Sequence, residues 1–355
     1  MKTVIADKIA SVAQHKGLKR ELRVSAEIPC EEGVLVAVQI LNAKSTYNTL
    51  ELTSGRMAQL KPGDVIVGAL GHRKALFGYS GHLPESLKPG DEVQVLNIGG
   101  VLGICDSVNA NFGQPFNAKV LGAVLEFPIL GERIGVPARA GIEQMNDDEP
   151  LNTHGVPVVA LAGTCMDSGK TAAASAIVSR LCHLGHTVDA FKATGVSLRR
   201  DILAMEDAGA RDTSIFTDFG VITTTAHNSA GVTKTMLNKL AAGKPDAIVF
   251  ELGDGILGTY GVDAILNDPA IAEAISCLIL CANDPVGSTG GVRLLKDEFG
   301  MDAHLVTGPA TDNQVGRNII TERLGIQGIN AITNASDLGD AVADIIGLGA
   351  QQKAS

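Results

Sequence analysis

Residues 163–171, Gly-Thr-Cys-Met-Asp-Ser-Gly-Lys-Thr, limit what this chain can fold into more than any other stretch. They follow an apolar run at residues 156–162 and open a helix-like segment at residues 172–184. Small Gly and Ser residues let successive backbone N–H groups turn inward, and the helix that follows presents its positive N-terminal end. Strand, loop and helix in that order build a phosphate-binding loop. Within it Gly163, Thr164, Asp167, Ser168 and Gly169 are expected to wrap the phosphates, Lys170 to bring a mobile positive charge, and Thr171 to set its hydroxyl on Mg²⁺.

From about residue 150 onward, apolar runs at residues 156–162, 187–192, 247–252, 277–282 and 304–307 alternate with helical stretches. That alternation predicts a parallel sheet covered on both faces, with ligands beyond the carboxyl ends of its strands. Residues 21–145 differ: short strands, clearest at residues 34–40, 65–70, 92–97 and 120–127, are broken by turns, and helical periodicity is nearly absent. Leu60-Lys61-Pro62-Gly63-Asp64 recurs as Leu87-Lys88-Pro89-Gly90-Asp91, each copy just before a Val-bearing strand. Pro-Gly suits the centre of a type II turn, so two related hairpins in a small barrel or sandwich are expected. The fold class is therefore α/β: an all-β barrel or sandwich domain over residues 1–150, then a parallel-sheet P-loop domain over residues 151–355, joined by an acidic, Gly- and Pro-bearing linker at residues 145–157. The first twenty residues fit a short helix or a mobile arm.

The formal charge of -10 is shared unevenly: residues 1–150 hold 15 Lys/Arg and 17 Asp/Glu, leaving 14 and 22 for the rest. An acidic P-loop half in a chain with no Trp and 3% aromatics offers neither the basic stripe nor the stacking platform that nucleic acid needs. No apolar run reaches membrane-spanning length and the N-terminus is too interrupted by charge for a secretory leader, so no membrane partner and a cytoplasmic location are expected. The six cysteines contain no Cys-x-x-Cys pair, which argues against zinc and against a disulfide framework.

Each candidate site residue follows a strand. Glu251 ends the run at residues 247–251 and resembles the metal-side carboxylate of P-loop enzymes, with Asp254 a second candidate ligand for the same Mg²⁺. Lys192 closes the second strand, where a cation can neutralise a substrate carboxylate or a migrating phosphoryl group. Residues 196–236 form a polar insertion; its Arg199 and Arg200 favour an anionic substrate or equally start a solvated helix, and its His227 is a candidate base. The Gly-rich stretch at residues 283–291 reads as a strand-to-helix turn, either a second anion site or a plain turn.

Five residues rather than the usual four separate Gly163 from Gly169, and with the Gly-Lys-Thr triplet this spacing resembles the Gly-Thr-x-x-x-x-Gly-Lys-Thr loop of dethiobiotin synthetase and its relatives. The resemblance covers about residues 156–330. It implies ATP and Mg²⁺ as cofactors, Lys170, Lys192 and Glu251 as the catalytic set, Thr171 and Glu251 on the metal, and Asn313 as a contact to the adenine base. The turn after Lys192 is two residues shorter than in those enzymes and lacks Pro. Switch ATPases of the same branch carry a further lysine where this chain has Cys165, which speaks against a dimer-gated motor. Ala193-Thr194-Gly195 and Asp218-Phe219 are also similar to P-loop amino-acid N-acetyltransferases, in which the loop holds coenzyme A. The activity expected is Mg-ATP-dependent transfer or ligation on a small anionic metabolite, with acyl-CoA-dependent N-acylation of an amino acid and a nucleotide-sensing binding module as alternatives. A homodimer is one permitted assembly.

Overall fold

The repeated Leu-Lys-Pro-Gly-Asp segment makes the same turn twice. In each copy the glycine sits at positive φ, 92° at Gly63 and 102° at Gly90, a conformation that costs glycine nothing. The aspartate closes the turn by accepting the N–H of the lysine three residues earlier, Asp64 from Lys61 at 2.7 Å and Asp91 from Lys88 at 2.9 Å. The glycine N–H then donates to a strand alongside, Gly63 to Ile40 at 2.8 Å and Gly90 to Val120 at 2.9 Å.

A computed structural model describes residues 1–129, 134–146 and 149–349; residues 147 and 148 of the expected linker lie outside them. The two turns lead into β2 (Val65–Leu70) and β3 (Glu92–Val95), which join β1 (Leu35–Ile40), β4 (Val101–Ser107) and β5 (Phe116–Glu126). Neither turn makes the expected hairpin, because the strands before them, Met57–Gln59 and Ser80–His82, pair elsewhere. Strand β1 pairs with β5 and β2, β2 with β4, β4 with β3, and β3 again with β5; only β2 and β4 run parallel. The ladder returns to the strand it left, so these five strands close into a barrel, which leaves none of them a free edge. Val38, Ile66, Leu70, Leu102 and Val120, register partners on one face, fill it. β5 starts earlier than expected because Phe116 and Ala118 share the buried face of Val120, every second residue. The first twenty residues are neither a helix nor an arm alone: strands Lys2–Ile5 and Lys8–Ile9 precede a short 3₁₀ turn at Ser11–Lys16. The alternation that buries Val4 against Leu22 and Val24 pairs Lys2–Ile5 with Glu21–Ser25.

The second unit is built on seven strands, β6 (Val158–Gly163), β7 (Val188–Lys192), β8 (Thr213–Ile215), β9 (Ala247–Glu251), β10 (Ile275–Cys281), β11 (Leu305–Thr307) and β12 (Gln327–Gly328). Their order across the sheet is β8-β7-β9-β6-β10-β11-β12, and every pairing is parallel. Helices α1 (Lys170–His183), α2 (Arg200–Asp207), α3 (Ser229–Ala242), α4 (Pro285–Phe299), α5 (Gln314–Leu324) and α6 (Ala335–Ile345) provide most of the connections and cover. Strand β6 lies at the centre, with β9, β7 and β8 on one side and β10 to β12 on the other. The crossover direction reverses there, which puts the crevice for ligands at the end of β6.

The polar insertion is divided between the units. Val196–Arg200 and Phe216–Thr223 cluster with Met1–Met145, while the remainder of the chain from Asn146 forms the sheet unit. Burial and hydrogen bonds explain the split. Ile222 is fully buried in the barrel's apolar cluster, Asn97 donates its amide to the Ser197 carbonyl at 2.7 Å, and the Glu32 carboxylate accepts the N–H groups of Ile222 and Thr223.

In the sheet unit Phe191 and Phe250 are register partners on β7 and β9, stacked with centroids 4.8 Å apart and wholly buried. Truncating Phe250 to Ala should cost about 3 to 5 kcal/mol, from the lost burial of the ring together with the cavity it leaves. Urea unfolding of the variant should show that loss, and a midpoint within experimental error of the parent would contradict this packing.

Candidate functional site

Two glycines shape the loop between β6 and α1. A Cβ on Gly163 would stand 2.6 Å from Lys170 Nζ and 2.9 Å from its Cδ, so only glycine lets the lysine fold back across the loop. Gly169 caps α1 at φ 90° and Asp167 also takes a positive φ, 57°. The first N–H groups of α1 have no acceptor within their own helix and point out of its N-terminus, as an anion site requires. Lys170 is buried, and its ammonium donates to the carbonyls of Cys165 at 2.9 Å and Asp254 at 2.5 Å and to Ser168 Oγ at 3.3 Å. These acceptors are the sort that a phosphate oxygen replaces. Thr164 lies at the mouth of the loop, its N–H donating to the Cys281 carbonyl at the end of β10 at 3.0 Å.

Strand register brings Lys192 on β7 level with Glu251 on β9, and Glu251 level with Leu161 on β6. The first turn of α2 adds Asp201. Lys192 pairs with Asp201 through Nζ and Oδ2. The Thr171 hydroxyl lies 3.0 Å from Glu251 Oε2 and 3.3 Å from Asp201 Oδ1. Lys170, Lys192, Asp201 and Glu251 are all at least nine-tenths buried, two cations set against two carboxylates, which is how buried charge is tolerated. Burial first, and the Asp201 charge second, push the Glu251 carboxyl above its ordinary range, while Lys192, Lys170 and the Thr171 hydroxyl pull the other way. A hydroxyl has one proton, so both contacts on Thr171 are hydrogen bonds together only when one carboxyl is protonated. A divalent cation in place of that proton would satisfy all three oxygens. Among the described residues no three His, Cys, Asp or Glu side chains form a metal cage. Two carboxylates and a hydroxyl instead suit Mg²⁺, which takes its other ligands from water and phosphate.

Lys170, Thr171, Lys192 and Glu251 thus meet at one place. Asp254 reaches it through the backbone carbonyl that Lys170 holds. Asn313 is the N-cap of α5, its side chain accepting the Gly316 N–H at 3.0 Å. Arg199 belongs with the barrel unit, its backbone N–H on the Glu51 carboxylate at 2.8 Å and its guanidinium on the Thr53 carbonyl at 3.0 Å, and His227 is exposed. The turn expected at residues 283–291 is a helix from Pro285 onward, because Asp284 caps it and Pro285 takes its first position. The Asp284 carboxylate accepts the Gly287 N–H at 2.8 Å, so this helix start already holds a negative group. Asp201 is the residue that motif reading missed. Its one sequence signal is an acid in the first turn of an amphipathic segment.

No family model matches the chain, and no curated protein matches it. Solved structures similar to it include the signal recognition particle receptor FtsY from Elizabethkingia anophelis, at 12% identity and a TM-score of 0.38, covering 52% of this chain and 65% of that one. The signal recognition particle 54 kDa protein from Aeropyrum pernix K1, solved in complex with GDP, gives 18% and 0.37 over 56% of this chain and 48% of its own. A DUF1611 family protein from Anabaena variabilis gives 13% and 0.38, over 59% and 63%. This chain spans less than two thirds of each of those three. The P-loop character of the sheet unit rests on its own strand order and its own loop. Among the described residues no helix is long and apolar enough to cross a membrane.

Proposed function

We propose that the sheet unit binds a Mg²⁺–nucleoside triphosphate, ATP by preference, and transfers its terminal phosphoryl group to an oxygen of a small anionic metabolite, as a kinase or as the first step of a ligation. One observation carries this reading: the Thr171 hydroxyl sits between two carboxylates beside the P-loop lysine. Lys170 would exchange its carbonyl acceptors for β- and γ-phosphate oxygens, and the α1 N-terminus would hold the phosphate chain. Thr171, Glu251 and Asp201 would hold Mg²⁺, which offsets phosphate charge when bound. Lys192, released from Asp201 as that carboxylate turns to the metal, would meet the substrate anion or the group in flight. Catalysis would then come from positioning and charge neutralisation.

In Lys192→Met turnover should fall by about 10² or more, since a transition-state contact is lost, while nucleotide affinity changes little. Steady-state rates beside a nucleotide titration separate the two. Equal loss of nucleotide affinity would move Lys192 into the nucleotide site. ADP release that depends on an added carboxylate metabolite supports the proposal, whereas release of free CoA thiol from acetyl-CoA without nucleotide would replace it with acyl transfer.

A further inference from the structure

In the barrel unit, away from the P-loop residues in sequence, a second set of charges has no counter-ion among the described residues. Lys44 donates to the Tyr79 hydroxyl at 2.6 Å, to the Phe112 carbonyl at 3.0 Å and to the Gln114 carbonyl. Arg73, only 3% exposed, donates to the Tyr47 hydroxyl at 3.1 Å and to the Leu96 carbonyl, and its buried Nε has no hydrogen-bond partner among the described residues. Both cations face the Tyr79 ring, at 5.2 and 5.9 Å from its centroid. Tyr47 and Phe112 stack beside them with centroids 4.8 Å apart. Gly78 leaves the flank of the guanidinium open, since a Cβ there would stand 3.0 Å from Arg73 Cζ.

Among the described residues neither cation enters an ion pair. Asp106 is taken by His82 at 2.7 Å. The two acidic groups that feel these cations do not supply the missing charge: burial pushes the Tyr79 phenol up to about 12 and also raises the Cys105 thiol, so both stay neutral at pH 7. Burial lowers the Lys44 ammonium, the direction expected of a cation with no nearby anion. A guanidinium this buried, with a donor left over, is costly unless something negative completes it.

We propose that Lys44 and Arg73 form an oxyanion site in the barrel, taking the carboxylate or phosphate group of a small molecule, with the Tyr47 and Phe112 rings packed against its remainder. The site is separate from the proposed nucleotide chemistry and does not depend on it.

The chain has no Trp and three Tyr, two of them in this cluster, so tyrosine emission reads the site directly. In a Tyr260→Phe, Lys170→Ala background only Tyr47 and Tyr79 emit and anion binding at the P-loop is weakened. Inorganic phosphate and acetate are titrated separately against chloride at matched ionic strength. A saturable change with at least one oxyanion and none with chloride is expected, and which one saturates tells a phosphate ligand from a carboxylate. The affinity should fall about tenfold or more in Arg73→Gln and in the half-buried Lys44→Met, each having lost a charge-assisted bond. If Arg73→Gln fails to fold, Lys44→Met alone decides. No saturable change with either oxyanion, or equal affinity in the folded variants, overturns the site.

Discussion

Lys170→Ala is expected to lose nucleotide affinity by about tenfold to a hundredfold, because a charge-assisted bond to phosphate contributes roughly 1.5 to 3 kcal/mol. The ammonium is already inside the loop, tied to the Cys165 and Asp254 carbonyls, so binding exchanges these bonds for phosphate contacts and needs little ordering of a mobile side chain. Fold loss is a separate matter, and thermal unfolding of the unliganded variant controls for it. Isothermal titration of parent and variant with Mg-ATP checks the effect. Equal affinities in two folded proteins would remove Lys170 from the site.

The second large effect concerns the two carboxylates, which should behave oppositely. Glu251 binds its proton more tightly in the folded chain than it would unfolded, so its contribution to stability is lost as pH rises from the ordinary glutamate value through the raised one. Above that window the folded protein holds an ionised, desolvated carboxylate at a cost. Glu251→Gln removes that cost, so the unliganded variant should melt higher than the parent at neutral pH while Mg²⁺-dependent nucleotide binding collapses. In the parent, Mg²⁺ must displace the proton, and metal affinity should climb with pH across the same window; the variant should show no such climb. Asp201→Asn takes the carboxylate from Lys192 and should lower stability by about 3 to 5 kcal/mol, the usual cost of breaking a buried pair. Melting curves over pH, with and without Mg²⁺, test both, and variants that shift in the same direction would contradict the charge arrangement described here.

Much of this architecture was legible because its signals are local. Gly163 to Thr171 specify a loop by residue type alone, Glu251 ends an unbroken apolar strand, and the two Pro-Gly turns mark a β unit, although neither joins two paired strands. The α4 start was equally local, Asp284 as cap and Pro285 at the first position, yet the glycines at residues 287, 290 and 291 outweighed it in a reading by composition. What could not be read depends on distant partners. Asp201 is one acid among several in a polar stretch until Lys192 and Thr171 arrive from other elements. Ile222 and Ser197 join the barrel through contacts with residues far earlier in the chain. Barrel closure depends on β3 reaching both β4 and β5, a pairing no short pattern encodes.

The most direct measurement of the central claim is calorimetric titration of the intact protein with ATP, with GTP and with acetyl-CoA, each in the presence of Mg²⁺ and of chelator. One nucleoside triphosphate bound per chain, much more weakly in chelator and in Glu251→Gln, with acetyl-CoA failing to compete, is the expected result. Binding of acetyl-CoA alone, indifferent to Mg²⁺ and to Glu251, would contradict it.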